Sequence, residues 1–341
     1  MSSHQPSNQA ERCLTDYRSA GGKPPNGLDD SIDDGPAIRA AISQGPGVVN
    51  VPPGFYRWSE VRVPAGVTVI GAADATIVRA CNDQYPIFDQ SGVGHWSIRD
   101  LVLDGEAPEP WRQRKDLGRV GMSIYDAWAF NVSGLTVRDF SGQAVRVAQT
   151  RIDAAGFCHG GLIDNLSGAN NAVGICFDQR GEYVTLTNSH LMHNTTGCVI
   201  HAGNTKITQC NIGSNIDGIV IADKENGSHG LIGHCLINHN ERYALDCLDV
   251  EYGMMINACA IFYGGIRLRA CKGVQIANCQ VACDVDVIGE HTNAFINNMV
   301  IEEDYGFKFA EATIVSGNFT AEGDWRFNRT SGGMTNSFQS S

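Results

Sequence analysis

The chain has 341 residues, of which 43% are hydrophobic and 18% charged, so it has enough apolar side chains for a large core. Its formal net charge of -12 argues against nucleic acid as the main partner, because binding to phosphates needs clustered lysine and arginine. The 39 glycines favour many short strands and turns.

The beginning of the chain, MSSHQPSNQAERC, lacks the basic and then apolar pattern of a signal peptide. No run of ~18 apolar residues occurs, so no membrane partner is expected. We therefore expect a cytoplasmic or virion-associated protein, and whether a signal peptide has been removed stays open. The 12 cysteines are diluted in a long chain and are expected to be reduced core thiols.

An N-terminal helix is predicted where acidic residues and a proline precede an apolar stripe. Asp33, Asp34 and Pro36 come before apolar positions that share one helix face as far as Ile42. Such a helix would cap the end of a repetitive fold, where unpaired strand edges invite aggregation. We divide the chain into an N-terminal segment with the capping helix (1–45), the repeats (46–320) and a C-terminal tail (321–341).

The central part of the chain is repetitive, with short segments in which a small residue precedes alternating apolar positions. The segments recur at a loose period of about 21 residues, with longer intervals where loops are inserted. Their first residues are Gly121, Ala144, Gly174, Gly197, Gly218, Ala244, Gly265 and Gly306. This period is typical of the coils of a parallel β-helix, and the leucine and asparagine spacing of leucine-rich repeats is missing.

A second apolar segment of each coil carries a cysteine at a shared position. These cysteines are Cys210, Cys235, Cys259 and Cys279. Because side chains alternate between the two faces of a strand, we predict that the thiols stack as an inward ladder of small buried hydrophobes.

Two stretches near the start carry a family resemblance. Asp16-Tyr17 to Gly22 followed by Gly27 to Ile42, and then Val51-Pro-Pro-Gly-Phe-Tyr56 with Val67 to Gly71, resemble the opening of the pectate-lyase superfamily. Phage tailspikes and exo-polygalacturonases share that opening. The resemblance implies an all-β fold, a single-stranded right-handed parallel β-helix, and it implies carbohydrate chemistry only weakly, since the family includes enzymes and non-catalytic virion proteins.

In the repeated segments the second and fourth side chains point inward, so the third and fifth point outward. The third-position column contains Ser123, Arg146, Cys176, Val199, Val220, Asp246 and Arg267. The fifth-position column contains Tyr125, Ala148, Asp178, His201, Ala222, Leu248 and Arg269. Neighbouring coils lie ~4.8 Å apart, so polar groups from several coils are expected to converge on one groove.

The catalytic candidates are Asp178, His201, Asp223, Asp246 and Arg267. Asp178 falls beside His201 and could orient it as an acid or base. Asp246 falls beside Arg267, whose guanidinium could bind a carboxylate through two hydrogen bonds. Each of these pairs is equally well explained as an ordinary surface ion pair.

The substrate-binding candidates are Trp111, Arg146, Asp217, Tyr243, Asp249 and Arg269. Trp111 belongs to a proline-containing and basic insertion, 106–119, and could stack on a sugar ring. Asp249 and Asp223 each lie one step beyond a strand and could meet at the edge of the groove. A solvated loop and isolated surface carboxylates are the alternatives for these positions.

A finer resemblance to polygalacturonases is incomplete. Gly265-Ile-Arg-Leu-Arg269 resembles the Arg-Ile-Lys substrate-binding segment, and Asn215-Ile-Asp-Gly218 resembles the Asn-Thr-Asp-Gly motif. However, Arg242-Tyr243 stands where that family has paired aspartates, and Tyr263-Gly264-Gly265 replaces the Gly-His-Gly segment. Pectin-type hydrolysis is therefore not implied.

No metal site is expected, because the histidine pairs His190/His193 and His234/His239 lack a third ligand at a suitable spacing. No cofactor is expected either, with a bound Ca²⁺ left open. The expected partner is an oligo- or polysaccharide, acidic or neutral, and a homotrimer like that of phage tailspikes stays open.

The leading hypothesis is an enzyme that cleaves a glycosidic polymer, with hydrolysis slightly favoured over β-elimination. Hydrolysis would use two of Asp178, Asp223, Asp246 and Asp249, at ~5 Å for retention or ~6.5–9.5 Å for inversion. Elimination would use Arg267 or Arg269 to neutralise a uronate and His201 to take the proton. The alternatives are a non-catalytic glycan-binding or tailspike-like protein, and a cytoplasmic isomerase or cyclase acting on a small molecule.

Overall fold

The computed structural model describes residues 11–14, 33–81, 85–115, 118–149, 158–222, 228–301, 305–310, 313–320 and 327–329. Most of the strands in these ranges belong to three parallel sheets, named here A, B and C. Sheet A comprises Glu11–Cys13, Gly47–Asn50, Val67–Ile70, Ser97–Arg99, Asn131–Ser133, Gly161–Asp164, Val184–Thr187, Thr205–Thr208, Gly230–Gly233, Met254–Asn257, Gln275–Ala277, Ala294–Ile296 and Ile314–Ser316. Sheet B comprises Gly54–Arg57, Thr76–Arg79, Val102–Asp104, Thr136–Arg138, Ser167–Ala169, His190–Met192, Asn211–Gly213, Leu236–Asn238, Ala260–Phe262, Gln280–Ala282, Met299–Val300 and Phe319–Thr320. Sheet C comprises Phe88–Ser91, Met122–Tyr125, Gln143–Ala148, Val173–Phe177, Thr196–Ile200, Asp217–Ala222, Tyr243–Leu248, Gly265–Arg269, Val285–Ile288, Phe307–Phe309 and Phe327–Arg329.

The chain passes from sheet A to sheet B to sheet C and then returns to sheet A one coil further along. Equivalent positions stay in register from coil to coil, so Leu186 pairs with Ile207 and Ile207 pairs with Ile232. All three side chains are 0% exposed, since the inward positions of every coil fill one continuous core. The predicted all-β fold, a right-handed parallel β-helix, is confirmed.

Strand pairing reaches into both terminal segments that the sequence sets apart. Glu11–Cys13 pairs with Gly47–Asn50 in sheet A, and Phe327–Arg329 pairs with Phe307–Phe309 in sheet C. The described strands therefore continue the solenoid beyond the repeats that the sequence pattern identifies.

The predicted helix is confirmed as Gly35–Ile42, with Pro36 in its first turn. Ile38 and Ala41 are buried on its inner face and belong to the main core. Arg12 ties the helix to the first strand by donating a 2.7 Å hydrogen bond to the carbonyl of Ala41. That the helix caps the solenoid stays a prediction. Short 3₁₀ turns occur at Ala73–Ala75 and Trp111–Gln113, and no helix in the described ranges is long and apolar enough to cross a membrane.

The cysteine ladder is confirmed at the turn between sheets A and B. Cys210, Cys235, Cys259 and Cys279 lie on successive coils and are each at most 3% exposed. The Sγ atom of Cys279 accepts a 3.5 Å hydrogen bond from the backbone N–H of Cys259. All twelve cysteines lie in the described ranges and none forms a disulfide, so the ladder acts as apolar packing with weak hydrogen bonds.

A ladder of buried asparagines occupies the turn between sheets B and C. The Oδ1 atoms of Asn194, Asn215 and Asn240 accept hydrogen bonds of 2.9, 2.8 and 3.2 Å from the backbone N–H of the asparagine one coil earlier, beginning at Asn171. The Nδ2 group of Asn215 donates at 3.0 Å to the carbonyl of Leu191 on the preceding coil. The Asn215 amide therefore satisfies two buried backbone groups of the preceding coil, and the backbone N–H of Asn215 bonds the Asn240 amide of the next coil. The ladder thus holds successive coils in register beside sheet C.

Replacement of Asn215 tests this ladder. The substitution Asn215→Ala leaves the N–H of Asn194 and the carbonyl of Leu191 without these partners, so we expect the free energy of unfolding to fall by about 2–4 kcal/mol. Chemical denaturation measures the change. Asn211→Ala, on the half-buried outer face of sheet B, is the matched control and should shift stability little. Equal destabilisation by the two variants would contradict the role of the ladder.

Candidate functional site

The outward columns predicted for sheet C are confirmed by its pairing register. Arg146 pairs with Cys176, and Asp246 pairs with Arg267. The backbone N–H of His201 donates to the carbonyl of Phe177, which places His201 beside Asp178 just beyond the ends of their strands. The columns hold two polar clusters, because Val199 and Val220 separate them in the third-position column. They are named below the Asp178 cluster (Arg146, Cys176, Asp178 and His201) and the Asp246 cluster (Tyr243, Asp246, Arg267 and Arg269).

The Asp178 cluster joins three coils through one carboxylate. Nη2 of Arg146 donates a 2.6 Å hydrogen bond to Oδ2 of Asp178, and Nδ1 of His201 lies 3.2 Å from Oδ1. The hydrogen bonds from His201 and Arg146 hold the pKa of Asp178 well below its usual value. The side chains of Asp178 and His201 are only 12% and 14% exposed, so their interaction is little screened by water. The carboxylate is therefore ionised and fixes the orientation of the imidazole.

Cys176 adds a thiol to this cluster. Its Sγ, an oxygen of Asp178 and a ring nitrogen of His201 all lie within 4.8 Å of one another. These sulfur, oxygen and nitrogen donors are of the types that bind transition metals. The repeat pattern places Cys176 in the outward column, but its proximity to both Asp178 and His201 depends on side-chain geometry that the pattern does not contain.

The Asp246 cluster is a closed ion-pair network. Arg267 donates to both carboxylate oxygens of Asp246 at 2.9 and 2.7 Å, and its remaining terminal nitrogen donates to the hydroxyl of Tyr243. Its guanidinium also lies 3.8 Å from the centroid of the Tyr243 ring. The hydrogen bonds to Asp246 raise the pKa of Arg267. Arg269, 38% exposed and 3.8 Å from Asp246, is the more accessible cation of the cluster.

Asp217 does not present its carboxylate to the groove. Nε of Arg242 donates to Oδ1 of Asp217 at 2.8 Å, and Nη2 of Arg242 binds Oδ2. The Asp217 side chain is 6% exposed, whereas that of Arg242 is 61% exposed. Asp217 therefore positions an arginine at the start of the sheet C strands, and Arg242 is the group that a ligand would meet.

The two clusters are too far apart to form a glycosidase carboxylate pair. Asp178 and Asp246 are separated by three coil steps, or about 14 Å at the spacing of paired strands. This exceeds the ~6.5–9.5 Å that inverting hydrolysis needs. Asp249 is exposed beyond the end of its strand, and its proposed partner Asp223 lies outside the described residues. Arg267 and Arg269 also lie three coil steps from His201, so they are too distant to contact a sugar ring bound there.

Trp111 lies at the corner between sheets B and C, outside the row of polar clusters. Its ring centroid is 5.9 Å from that of His193, and Arg112 lies 4.4 Å above its ring. Thr195 anchors the turn by donating a 2.7 Å hydrogen bond to the carbonyl of Trp111, and Arg112 forms an ion pair with Glu241. The insertion is thus fastened to two other coils, and one face of the predicted sugar-stacking ring is occupied by Arg112.

A cavity of about 290 Å³ opens on the outward face of sheet C, on the coils that precede the Asp178 cluster in the chain. Asp89, Ser91, Ser123 and Tyr125 line it from two strands, with Arg119 on its wall. The Tyr125 ring is 5.7 Å from the guanidinium of Arg146, so cavity and cluster adjoin. The sequence pattern missed Asp89 and Ser91, because their strand lacks the small-residue start of the later repeats.

No family model and no curated protein matches this sequence. Several solved structures match the fold. The A-module of the Azotobacter vinelandii mannuronan C-5 epimerase AlgE4 is 17% identical, with 91% of this chain and 88% of that chain covered and a TM-score of 0.58. The family 28 exopolygalacturonase of Yersinia enterocolitica is 11% identical, with 96% and 79% covered and a TM-score of 0.57. The Dettilon tailspike protein is 11% identical, with 91% and 68% covered and a TM-score of 0.59.

Identities this low establish a common fold and leave the chemistry to the residues of the site. The predicted resemblance to the pectate-lyase superfamily is thereby confirmed at the level of architecture. This chain has the pectate-lyase-like, right-handed parallel β-helix fold.

Proposed function

We propose that this protein acts on an acidic polysaccharide and abstracts a proton beside a uronate carboxylate, with His201 as the base. The observation that carries the proposal is the 3.2 Å contact between Nδ1 of His201 and Oδ1 of an Asp178 that is itself held by Arg146. A carboxylate bonded to Nδ1 selects the tautomer in which Nε2 is the basic atom, and it stabilises the imidazolium that forms on proton transfer. Nε2 has no hydrogen-bond partner among the described residues.

Arg146 is the cation that would receive the substrate carboxylate. Its side chain is 31% exposed and only one terminal nitrogen is used by Asp178, so further donors remain for a uronate. When Arg146 neutralises this carboxylate, the adjacent C–H becomes more acidic. A histidine base can then remove its proton more easily. Arg146 therefore takes the role that was expected of Arg267 or Arg269.

Elimination is favoured over hydrolysis by the state of the carboxylates. Asp178 is held ionised and so has no proton to give a leaving group, and Asp246 is too distant to assist it. The fold also occurs in proteins named as an epimerase and as exopolygalacturonases, which supports a polyuronate as the substrate class. After His201 takes the proton from C5, the bond between C4 and the glycosidic oxygen breaks and leaves an unsaturated uronate. The departing oxygen takes up a proton from the His201 imidazolium or from water.

The reaction type is tested by incubating the protein with α- and β-linked polyuronates. We expect the ultraviolet absorbance of an unsaturated uronate to rise together with new reducing ends. Reducing ends without that absorbance would mean hydrolysis, and exchange of the C5 hydrogen without chain cleavage would mean epimerisation, so either result contradicts elimination. Binding without any product would contradict the enzyme proposal as a whole and leave a glycan-binding protein.

The base is tested by His201→Gln, which keeps a polar side chain but removes the basic nitrogen. Loss of general base catalysis should lower kcat by about 10²–10⁴-fold with a smaller change in KM. His190→Gln is the matched control, because His190 is exposed on sheet B and away from the groove. Circular dichroism should be unchanged in both variants. Equal activity of the two variants would remove His201 from the mechanism.

The Asp246 cluster is tested as a distant binding point. Arg269→Ala removes an accessible cation about 14 Å from His201, measured along three coil steps. We expect KM to rise about ten-fold, with kcat unchanged, for polymers long enough to span both clusters. Short oligomers should show no change, and Lys206→Ala on the outer face of sheet A is the control. A fall in kcat for short substrates would contradict a role in binding alone.

A further inference from the structure

The proximity of the Cys176 thiol to Asp178 and His201 plays no part in the proposed proton transfer. The topology accounts for it, because Cys176 and Asp178 are two positions apart and share the outward face. His201 stands in the same relation to Val199, which pairs with Cys176. Adjacent coils thus bring a thiol, a carboxylate and an imidazole together within 4.8 Å.

We infer that Cys176, Asp178 and His201 form a binding site for one thiophilic divalent transition metal ion of the Zn²⁺ type. Thiolate, imidazole and carboxylate are the three ligand types that zinc takes in proteins. A thiolate is a poor ligand for Ca²⁺ or Mg²⁺, which prefer oxygen, so the donor set selects against these ions. Three protein ligands leave a fourth tetrahedral position for water or a ligand in the groove.

The geometry needs only small side-chain movements. Zinc bonds of ~2.0–2.3 Å in a tetrahedron place the donor atoms about 3.3–3.8 Å from one another. Asp178 Oδ1 and His201 Nδ1 are already 3.2 Å apart, and the thiol is within 4.8 Å of both groups. Arg146 binds the other oxygen of Asp178, so it can orient the carboxylate as a hydrogen-bonded second partner while Oδ1 binds the ion. Binding releases the thiol proton to solvent.

Other thiols in the described ranges do not offer an equivalent arrangement. The ladder cysteines, such as Cys235 and Cys259, are stacked along the solenoid axis, and no three of their sulfur atoms are mutually close. Cys81 is exposed but lies on no such cluster of donors. The trio on sheet C is therefore the place where an added ion would be expected to bind first.

Metal binding would compete with the proposed catalysis. An ion between Asp178 and His201 replaces the hydrogen bond that orients the imidazole, so the ion and the active base exclude each other. The site nevertheless stands independently of the proposed function, because its binding is measured without a substrate.

The test uses Co²⁺ and Zn²⁺ added to the full chain without a polyhistidine tag. We expect one Co²⁺ per chain with thiolate-to-cobalt charge-transfer absorption in the near ultraviolet, displaced by one equivalent of Zn²⁺. Cys176→Ser should abolish this absorption and weaken Zn²⁺ binding at least ten-fold, and Asp178→Asn should weaken binding with the absorption band retained. Cys81→Ser, which removes an exposed thiol, should bind as the unmodified chain does.

Three results would overturn the inference: cobalt binding without thiolate absorption, absorption that survives Cys176→Ser, and a Zn²⁺ affinity unaffected by that change. Circular dichroism of Cys176→Ser shows whether the variant is folded, and Asp178→Asn provides the second measurement if it is not. Failure of these binding experiments would not change the outcome expected of the polyuronate assays. Conversely, a protein that is inactive on polyuronates could still bind the ion.

Discussion

Each coil must lie in register with the next for the other features of this molecule to form. The buried asparagines at the corner between sheets B and C help to hold this register, because each amide bonds backbone groups of the preceding coil. A parallel solenoid has no hairpins to fix its register, so side-chain ladders and inward packing must do so. The ladder from Asn171 to Asn240 spans the coils that carry Asp178, His201 and Asp246.

Because the coils are in register, residues that are one repeat apart in the sequence become neighbours in the sheet. These neighbours lie at the spacing of paired strands, so side chains from distant parts of the chain share one column. Asp178 and His201 meet in this way, as do Asp246 and Arg267. Because the backbone of a sheet is stiff, each pair is held in place without support from a mobile loop, which favours a preorganised site.

The same regularity separates the polar side chains of sheet C into two centres. Val199 and Val220 interrupt the polar column, so Arg146 and His201 form one centre while Arg267 and Arg269 form another. The first centre has an ionised carboxylate, an oriented imidazole and a thiol, and it therefore has the means for proton transfer or for binding a metal ion. The second consists of ion pairs that are already satisfied within the protein, and we propose it only as a distant binding point.

The amino-acid pattern was enough to predict the solenoid, the helix at Gly35–Ile42, the inward cysteine ladder and the columns that contain Asp178 and His201. These features follow from periodicity, which the chain carries locally in every coil. The pattern could not predict that Arg146 binds Asp178, that Arg242 covers Asp217, or that Trp111 lies at a corner. Those contacts depend on side-chain rotamers, on diagonal neighbours and on how an insertion of irregular length packs across other coils, and none of these has a period.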